Sequence, residues 1–225
     1  MTSELTNLKP IAHRSANELV YERVREAISS GKFAPGEKLS TRNVAAQLGV
    51  SQMPVREAFH RLVAEGGMVK LENRTIALPD LNLKEFTDLT ELRLLLEGTA
   101  AAKAAQRTTK RKISKIASLV EQLGETENNS EKHLELNRLL HFQIYEMADS
   151  GSMVQMIELL WLRVGPILRF NTKRNETVAN SNQQHEAMLK AMQTADSDGA
   201  RRAVELDISE AADVVKAHLL ADGKG

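Results

Sequence analysis

The stretch Gly36–Glu65, GEKLSTRNVAAQLGVSQMPVREAFHRLVAE, constrains the fold more than any other part of the chain. It reads as two short amphipathic helices with a sharp stop between them. Ser40 offers an N-cap oxygen, and Val44, Ala45 and Leu48 fall on one face of the first helix. Gly49 ends that helix where a left-handed residue is wanted. Ser51 caps the second helix, and Pro54 is tolerated in its first turn, where a missing N–H leaves no partner unpaired. Val55, Ala58, Phe59, Leu62 and Val63 then form an apolar stripe, with Gln52, Met53, Arg56 and His60 on other faces. Helix, glycine turn, second helix with an exposed arginine near its start is helix-turn-helix arithmetic.

The flanks complete a small domain. Residues 1–14 show no periodicity and read as an arm, whose His13 and Arg14 could reach a phosphate. A helix over Asn17–Ser30 carries Leu19, Val20, Val24, Ala27 and Ile28 on one side and stops at Gly31. After Gly66-Gly67, Met68–Leu71 and Thr75–Leu78 flank Asn73-Arg74 as a small β-hairpin. Three helices and a terminal hairpin make a winged helix-turn-helix domain over residues 1–79, closed by Pro79.

Everything after it reads as helix. Asn82 caps a long helix to about Arg107, and a second covers Lys110–Leu123. A polar loop, Gly124–Ser130, leads to a helix from Glu131 to Ala148. Gly151 opens another that reaches Asn171 with Pro166 as a kink. Beyond a polar loop at Thr172–Val178, helices at Ala179–Gln193 and Asp198–Leu220 finish the chain. Residues 80–225 are therefore expected to form an all-α antiparallel bundle of about six helices, and the whole fold is mainly α.

Composition excludes several classes. No cysteine is present, so neither a disulfide framework nor a thiolate metal site exists. No 18-residue apolar run occurs, and MTSELTNLKP lacks the layout of a secretion signal, so a cytoplasmic protein with no membrane partner is expected. The net charge is zero, but residues 1–78 hold 11 Lys/Arg against 8 Asp/Glu, and residues 79–225 hold 19 against 22. A mildly basic front on a mildly acidic rear suits a DNA-binding head carried by a separate body.

In the rear, the informative residues are polar ones on apolar stripes. Asn137 and His141 lie four apart on the face of Leu134, Ile144 and Ala148. His185 shares a face with Met188, Leu189 and Met192, and Asp207 sits between Val204 and Ala211/Val214. Groups turned inward from three helices could converge on one divalent metal with N/O ligands, or each could be a satisfied core residue. Arg93 also faces inward, either paired with Glu97 one turn on or awaiting a ligand carboxylate. Arg163, Arg169 and Asn171 are further candidates for the same cavity.

These residues resemble the GntR transcriptional regulators, in the FadR-type branch whose helical ligand-binding domain is called FCD. The head carries the resemblance most specifically, PGEKLSTRNVAAQLGVSQMPVREAFHRLVAEGGMV being similar to the family pattern PG-x-x-L…LA-x-x-LGVS-x-x-PVREAL-x-x-L-x-x-EG. The rear is similar more loosely, through R-x-x-x-E at Arg93–Glu97, Asn137–His141, and His185 followed 22 positions later by Asp207. The resemblance implies DNA contacts at Arg42, Ser51, Gln52, Met53, Arg56 and Arg74 of the wing. Gln52 and Met53 stand where the family usually has Arg and Thr, and Thr75 replaces the wing glycine, so the operator is not borrowed from relatives. Arg56 suits bidentate contact to guanine, and Gln52 suits adenine.

For the rear, the resemblance implies a metal set of an Asp and three His, matched here by Asn137, His141, His185 and Asp207, with two of the four changed. Such a set can still hold Zn²⁺, Ni²⁺ or Mn²⁺, with a tilt toward harder ions. Arg93, Asn137, His141 and His185 would then bind a small organic acid effector. The expectation is a homodimeric regulator on double-stranded operator DNA, most simply a repressor released by its effector. One alternative is a body that only dimerises, with Asn137–His141 a structural hydrogen bond. A metalloenzyme is disfavoured, because no general base stands beside the ligands.

Overall fold

The computed structural model describes residues 15–72, 75–126, 130–173 and 175–224, with only the backbone described for residues 130, 172–173 and 175–180. The N-terminal arm with His13 and Arg14, and Arg74 at the wing tip, lie outside the described residues.

In the head, α1 (Ala16–Ser29) starts at Ser15, whose hydroxyl accepts from the Glu18 N–H at 3.2 Å. It stops at Gly31, which has φ +69°. The helix pair follows as α2 (Thr41–Leu48) and α3 (Gln52–Ala64), and Gly49 between them adopts the left-handed conformation at φ +66°. Ser40 caps α2 as expected. Ser51 sits at the α3 N-cap in extended backbone, without a side-chain capping bond.

The hairpin is shorter than the sequence suggests, with β2 (Val69–Lys70) and β3 (Ile76–Ala77), and it gains a strand. β1 (Lys38–Leu39) pairs antiparallel with β3, giving the order β1-β3-β2 with Leu39 and Lys70 both opposite Ile76. Two residues are too few to show alternation, which is why β1 leaves no periodic trace. Val20, Tyr21, Val24, Ile28, Val55, Phe59 and Leu62 fill the core. Leu19 and Leu48, expected inward, are 48% and 38% exposed. Both overhang the rim of a core too small to cover the full width of an amphipathic stripe.

The body comprises six α-helices among the described residues. A capping box joins Asn82 and Glu85 at the start of α4 (Leu83–Ala105). Next come α5 (Lys110–Gly124) and α6 (Ser130–Tyr145), the latter running on through a 3-10 turn at Glu146–Ala148. α7 (Gly151–Leu168) contains Pro166 and ends in a 3-10 turn at Arg169–Lys173, and α8 (Asn175–Gln193) and α9 (Ser197–Ala221) complete the bundle. Of the polar loop expected at Thr172–Val178, the described residues form the end of this 3-10 turn and the first turn of α8. Asn and Thr cost about 0.5 kcal/mol each in a helix, too little to stop one anchored downstream by the buried His185, Met188 and Met192.

Head and body meet along α1 and α7. Leu162 of α7 is fully buried within the core of the head. Gly165 lets α7 lie against the end of α1, since a Cβ there would stand 2.4 Å from the Ile28 carbonyl oxygen. Arg25 and Glu158 close the seam at 3.1 Å.

Candidate functional site

On the head, Arg42, Ser51, Gln52, Met53 and Arg56 are all exposed. The first turn of α3 thus presents Gln52, Met53 and Arg56 outward, while Val55, Ala58, Phe59 and Leu62 hold its other face in the core. Arg56 has no ion pair with Glu57 or Glu65: the Glu57 carboxylate accepts from Asn17, and that of Glu65 accepts from Arg61 and Tyr21. Arg56 is therefore free to donate elsewhere. Its neighbour Arg61, by contrast, is committed to Glu65 at 3.0 Å and to the face of the Tyr21 ring.

In the body, α6, α8 and α9 bring together His141, His185 and Asp207, whose ligand atoms all lie within 4.8 Å of one another. All three are buried, and both histidines are fully so. Nε2 of His141 is 3.1 Å from Asp207 Oδ2, and Nε2 of His185 is 3.7 Å from Oδ1. Ser181 donates to the same Oδ1 at 2.8 Å. Burial works against ionisation of Asp207, while the Ser181 hydroxyl bond favours it. Burial pushes His185 down to about 3, with His141 and His133 adding to the effect and Asp207 opposing it. His185 is thus a neutral imidazole across the physiological range, the form that ligates metals.

The proton inventory of His141 follows from the layer behind it. The Glu97 carboxylate accepts from Arg93 Nε at 2.7 Å, Tyr145 Oη at 2.6 Å and Trp161 Nε1 at 3.0 Å. Tyr145 gives its only proton to Glu97, so at 2.7 Å its oxygen must accept from His141 Nδ1–H. In the neutral ring that fixes the tautomer and leaves Nε2 as a lone pair. Its approach to Asp207 is close but lies off the line of a hydrogen bond, and Nε2 has no hydrogen-bond partner. Two acceptors converging without a proton between them fit a shared cation. A ligand histidine oriented by its other N–H is the second layer such sites carry. Asn137 lines the adjoining cavity, and its Oδ1 is likewise buried and unpartnered. Ser181 donates to Asp207 and so accepts from His185 Nε2–H at 3.3 Å; a divalent ion held by His141, His185 and Asp207, with Asn137 beside them, would take the place of that proton.

The cavity encloses about 50 Å³ and is bounded by residues of α4, α6, α7, α8 and α9 together with Asn171. Arg93, Asn137, Ser181 and Asp207 bring polar atoms to it. Arg93 is paired with Glu97 in the interior and also lines the cavity. Asn171 reaches the cavity, whereas Arg163 lies at the head–body seam beside Gly66. Three participants escaped the sequence reading: Ser181, the Tyr145–Glu97 relay, and His133 on the cavity wall. The signal for His133 was present, since residues 133, 137 and 141 repeat at four and share a face.

Comparison with known proteins agrees with this geometry. The sequence model of the FCD domain matches residues 88–210, and that of the bacterial regulatory proteins of the gntR family matches residues 16–75. The chain is 28% identical over 197 residues to the HTH-type transcriptional regulator McbR of Escherichia coli (strain K12), covering 84% of this chain and 87% of that one. It is 32% identical over 133 residues to the Nta operon transcriptional regulator of Aminobacter aminovorans, covering 59% and 63%. The solved structure of E. coli McbR/YncC superposes with a TM-score of 0.82 at 26% identity, over 94% of this chain and 100% of that one. With an exposed recognition helix on a winged head and a polar cavity in a six-helix body, the chain belongs to the GntR family of transcriptional regulators, in the branch that carries an FCD domain.

Proposed function

We propose that this regulator is an effector-released repressor, acting in the cytoplasm as a homodimer on double-stranded operator DNA. Its working parts are a head over residues 1–79 and an effector-binding, dimerising body over residues 80–225. One observation carries the effector reading. The unpartnered, buried Asn137 Oδ1 and the Asp207 carboxylate border a cavity beside the buried, unpartnered His141 Nε2, where polar groups left alone would cost stability.

His141, His185 and Asp207, with Asn137, would hold a divalent ion such as Zn²⁺, Ni²⁺ or Mn²⁺. Such an ion supplies open coordination positions for an anionic group. Arg93, Asn137, His141 and His185 orient a small organic acid there, with Arg93 offering the guanidinium protons that Glu97 does not take. On the head, Arg56 and Gln52 read base edges, while Arg42, Ser51, Met53 and Arg74 of the wing position the backbone. Two heads of a dimer grip half-sites of a short palindrome. The acid releases DNA if it binds more tightly to the conformation whose heads no longer match the half-site spacing.

The test is fluorescence anisotropy on the chain's own promoter DNA, with a salt titration and elemental analysis of the purified protein. Specific binding that weakens on adding an organic acid to metal-loaded protein is expected. A protein that carries no metal, shows no thermal shift with any acid and still binds its operator would leave the body as a dimerisation module only.

A further inference from the structure

The cavity has a second polar wall that the ion does not use. His133 of α6 is buried on it, and its Nδ1 lies 2.9 Å from Thr126 Oγ1. Thr126 gives its own proton to the Leu123 carbonyl at 2.6 Å, so it must accept from His133 Nδ1–H. Burial holds His133 below the usual imidazole range, against the pull of Asp207. The ring is therefore neutral, and its remaining atom, Nε2, is an acceptor with no partner among the described residues.

On α9, Glu210 lines the same cavity, and its Oε2 is buried without a hydrogen bond. Arg93 is matched by Glu97, and a divalent ion would match Asp207 together with the carboxylate of a bound acid, which leaves Glu210 with no cation among the described residues. A neutral ring acceptor and an unmatched carboxylate oxygen on one cavity call for a ligand group that brings protons and positive charge.

We propose that His133 and Glu210 form an ammonium subsite, so that the effector is a small amino acid or amine-bearing acid rather than a plain carboxylic acid. This rests on the acid-effector reading above and narrows it. The carboxylate goes to the ion and Arg93, and the ammonium to His133 Nε2 and Glu210 Oε2. Thr126 acts through His133 as a positioning residue, because its acceptance from Nδ1 keeps Nε2 bare.

The experiment uses the metal-loaded full chain, freed of excess metal, with ligand sets that share one skeleton. Propionate, lactate and alanine form one set, and succinate, malate and aspartate form the other, each varying H, OH and NH3⁺ beside the carboxylate. Calorimetry and thermal shift should show the amino member of at least one set binding about tenfold or more tighter than its plain partner. Glu210→Gln, a near-isosteric change, and His133→Phe should each shrink that ratio, with the ligand-free melting temperature reporting whether either variant folds. Absence of that preference from both sets, whether by equal binding or by tightest binding of the hydroxy member, or a ratio unchanged in both variants, overturns the subsite and leaves the acid-effector reading standing. Binding by no member of either set removes both.

Discussion

Leu162 of the helical body occupies the volume that a side chain on Gly67 of the head would need. A Cβ built on Gly67 stands 2.3 Å from Leu162 Cγ and 2.4 Å from Cδ2. The pair sets how closely α7 seats against the turn after α3, so the two domains are keyed together by one missing side chain and one filled hole. Gly67 does not have positive φ, so its requirement is steric rather than conformational.

The first prediction follows from that contact. Gly67→Ala should cost about 1–3 kcal/mol through overpacking, and Leu162→Ala about 2–5 kcal/mol through the cavity left in the core of the head. The double variant should be more stable than the sum of the two losses implies, because the small residue makes room for the new methyl. A double-mutant cycle in urea measures it, and strict additivity would show that the two do not share the space.

Arg56→Ala should weaken specific operator binding by about 1–3 kcal/mol, roughly a ten- to hundredfold loss. The head should keep its stability, because Arg56 is exposed and has no ion pair to lose. Arg61→Ala should do the reverse, since Arg61 is committed to Glu65 and Tyr21. Anisotropy with matched and scrambled operators, beside thermal melts, separates the two effects. Unchanged discrimination in Arg56→Ala would mean that a different face reads the DNA.

The third prediction concerns the layer behind His141. Tyr145→Phe keeps the ring and removes the oxygen that accepts from Nδ1–H. The imidazole can then populate its other tautomer, and metal affinity should fall about 10- to 100-fold. Calorimetric metal titration gives the affinity, and ¹⁵N shifts of the His141 ring give the tautomer. A full shift in tautomer with no change in affinity would remove His141 Nε2 from the ligand set.

Metal removal should show in stability. A bound ion at about 100 times its Kd contributes about 2.7 kcal/mol, or about 5–10 °C in melting temperature for a chain of this length. Chelation should reverse that shift, and re-addition of metal restore it. Loss of ion without loss of melting temperature would place the metal outside the buried cluster.

Much of this was legible in the chain before any coordinates. The caps at Ser40 and Asn82 and the left-handed turn at Gly49 announce themselves because each answers a local backbone need. His141, His185 and Asp207 stood out because polar residues on apolar helical stripes are conspicuous at a period of 3.6. The relay behind them was not, because it joins Glu97, Tyr145 and Trp161 from three helices by tertiary contact alone. His133 repeats at four with Asn137 and His141, but that spacing does not separate a cavity-lining histidine from one on the rim of the stripe. Leu19 and Leu48 misled for the opposite reason, as periodicity reports a face but not how much of it the core covers.

The two roles of α7 lie next to each other in the chain. Trp161 donates its indole proton to the carboxylate that governs His141, while the next residue, Leu162, fills the core of the head. The shortest covalent path between the support of the cluster and the interior of the reading domain is thus a single peptide bond. A ligand that rolls α7 about its axis by a fraction of a turn moves both side chains at once, with no hinge or linker between them to absorb the motion.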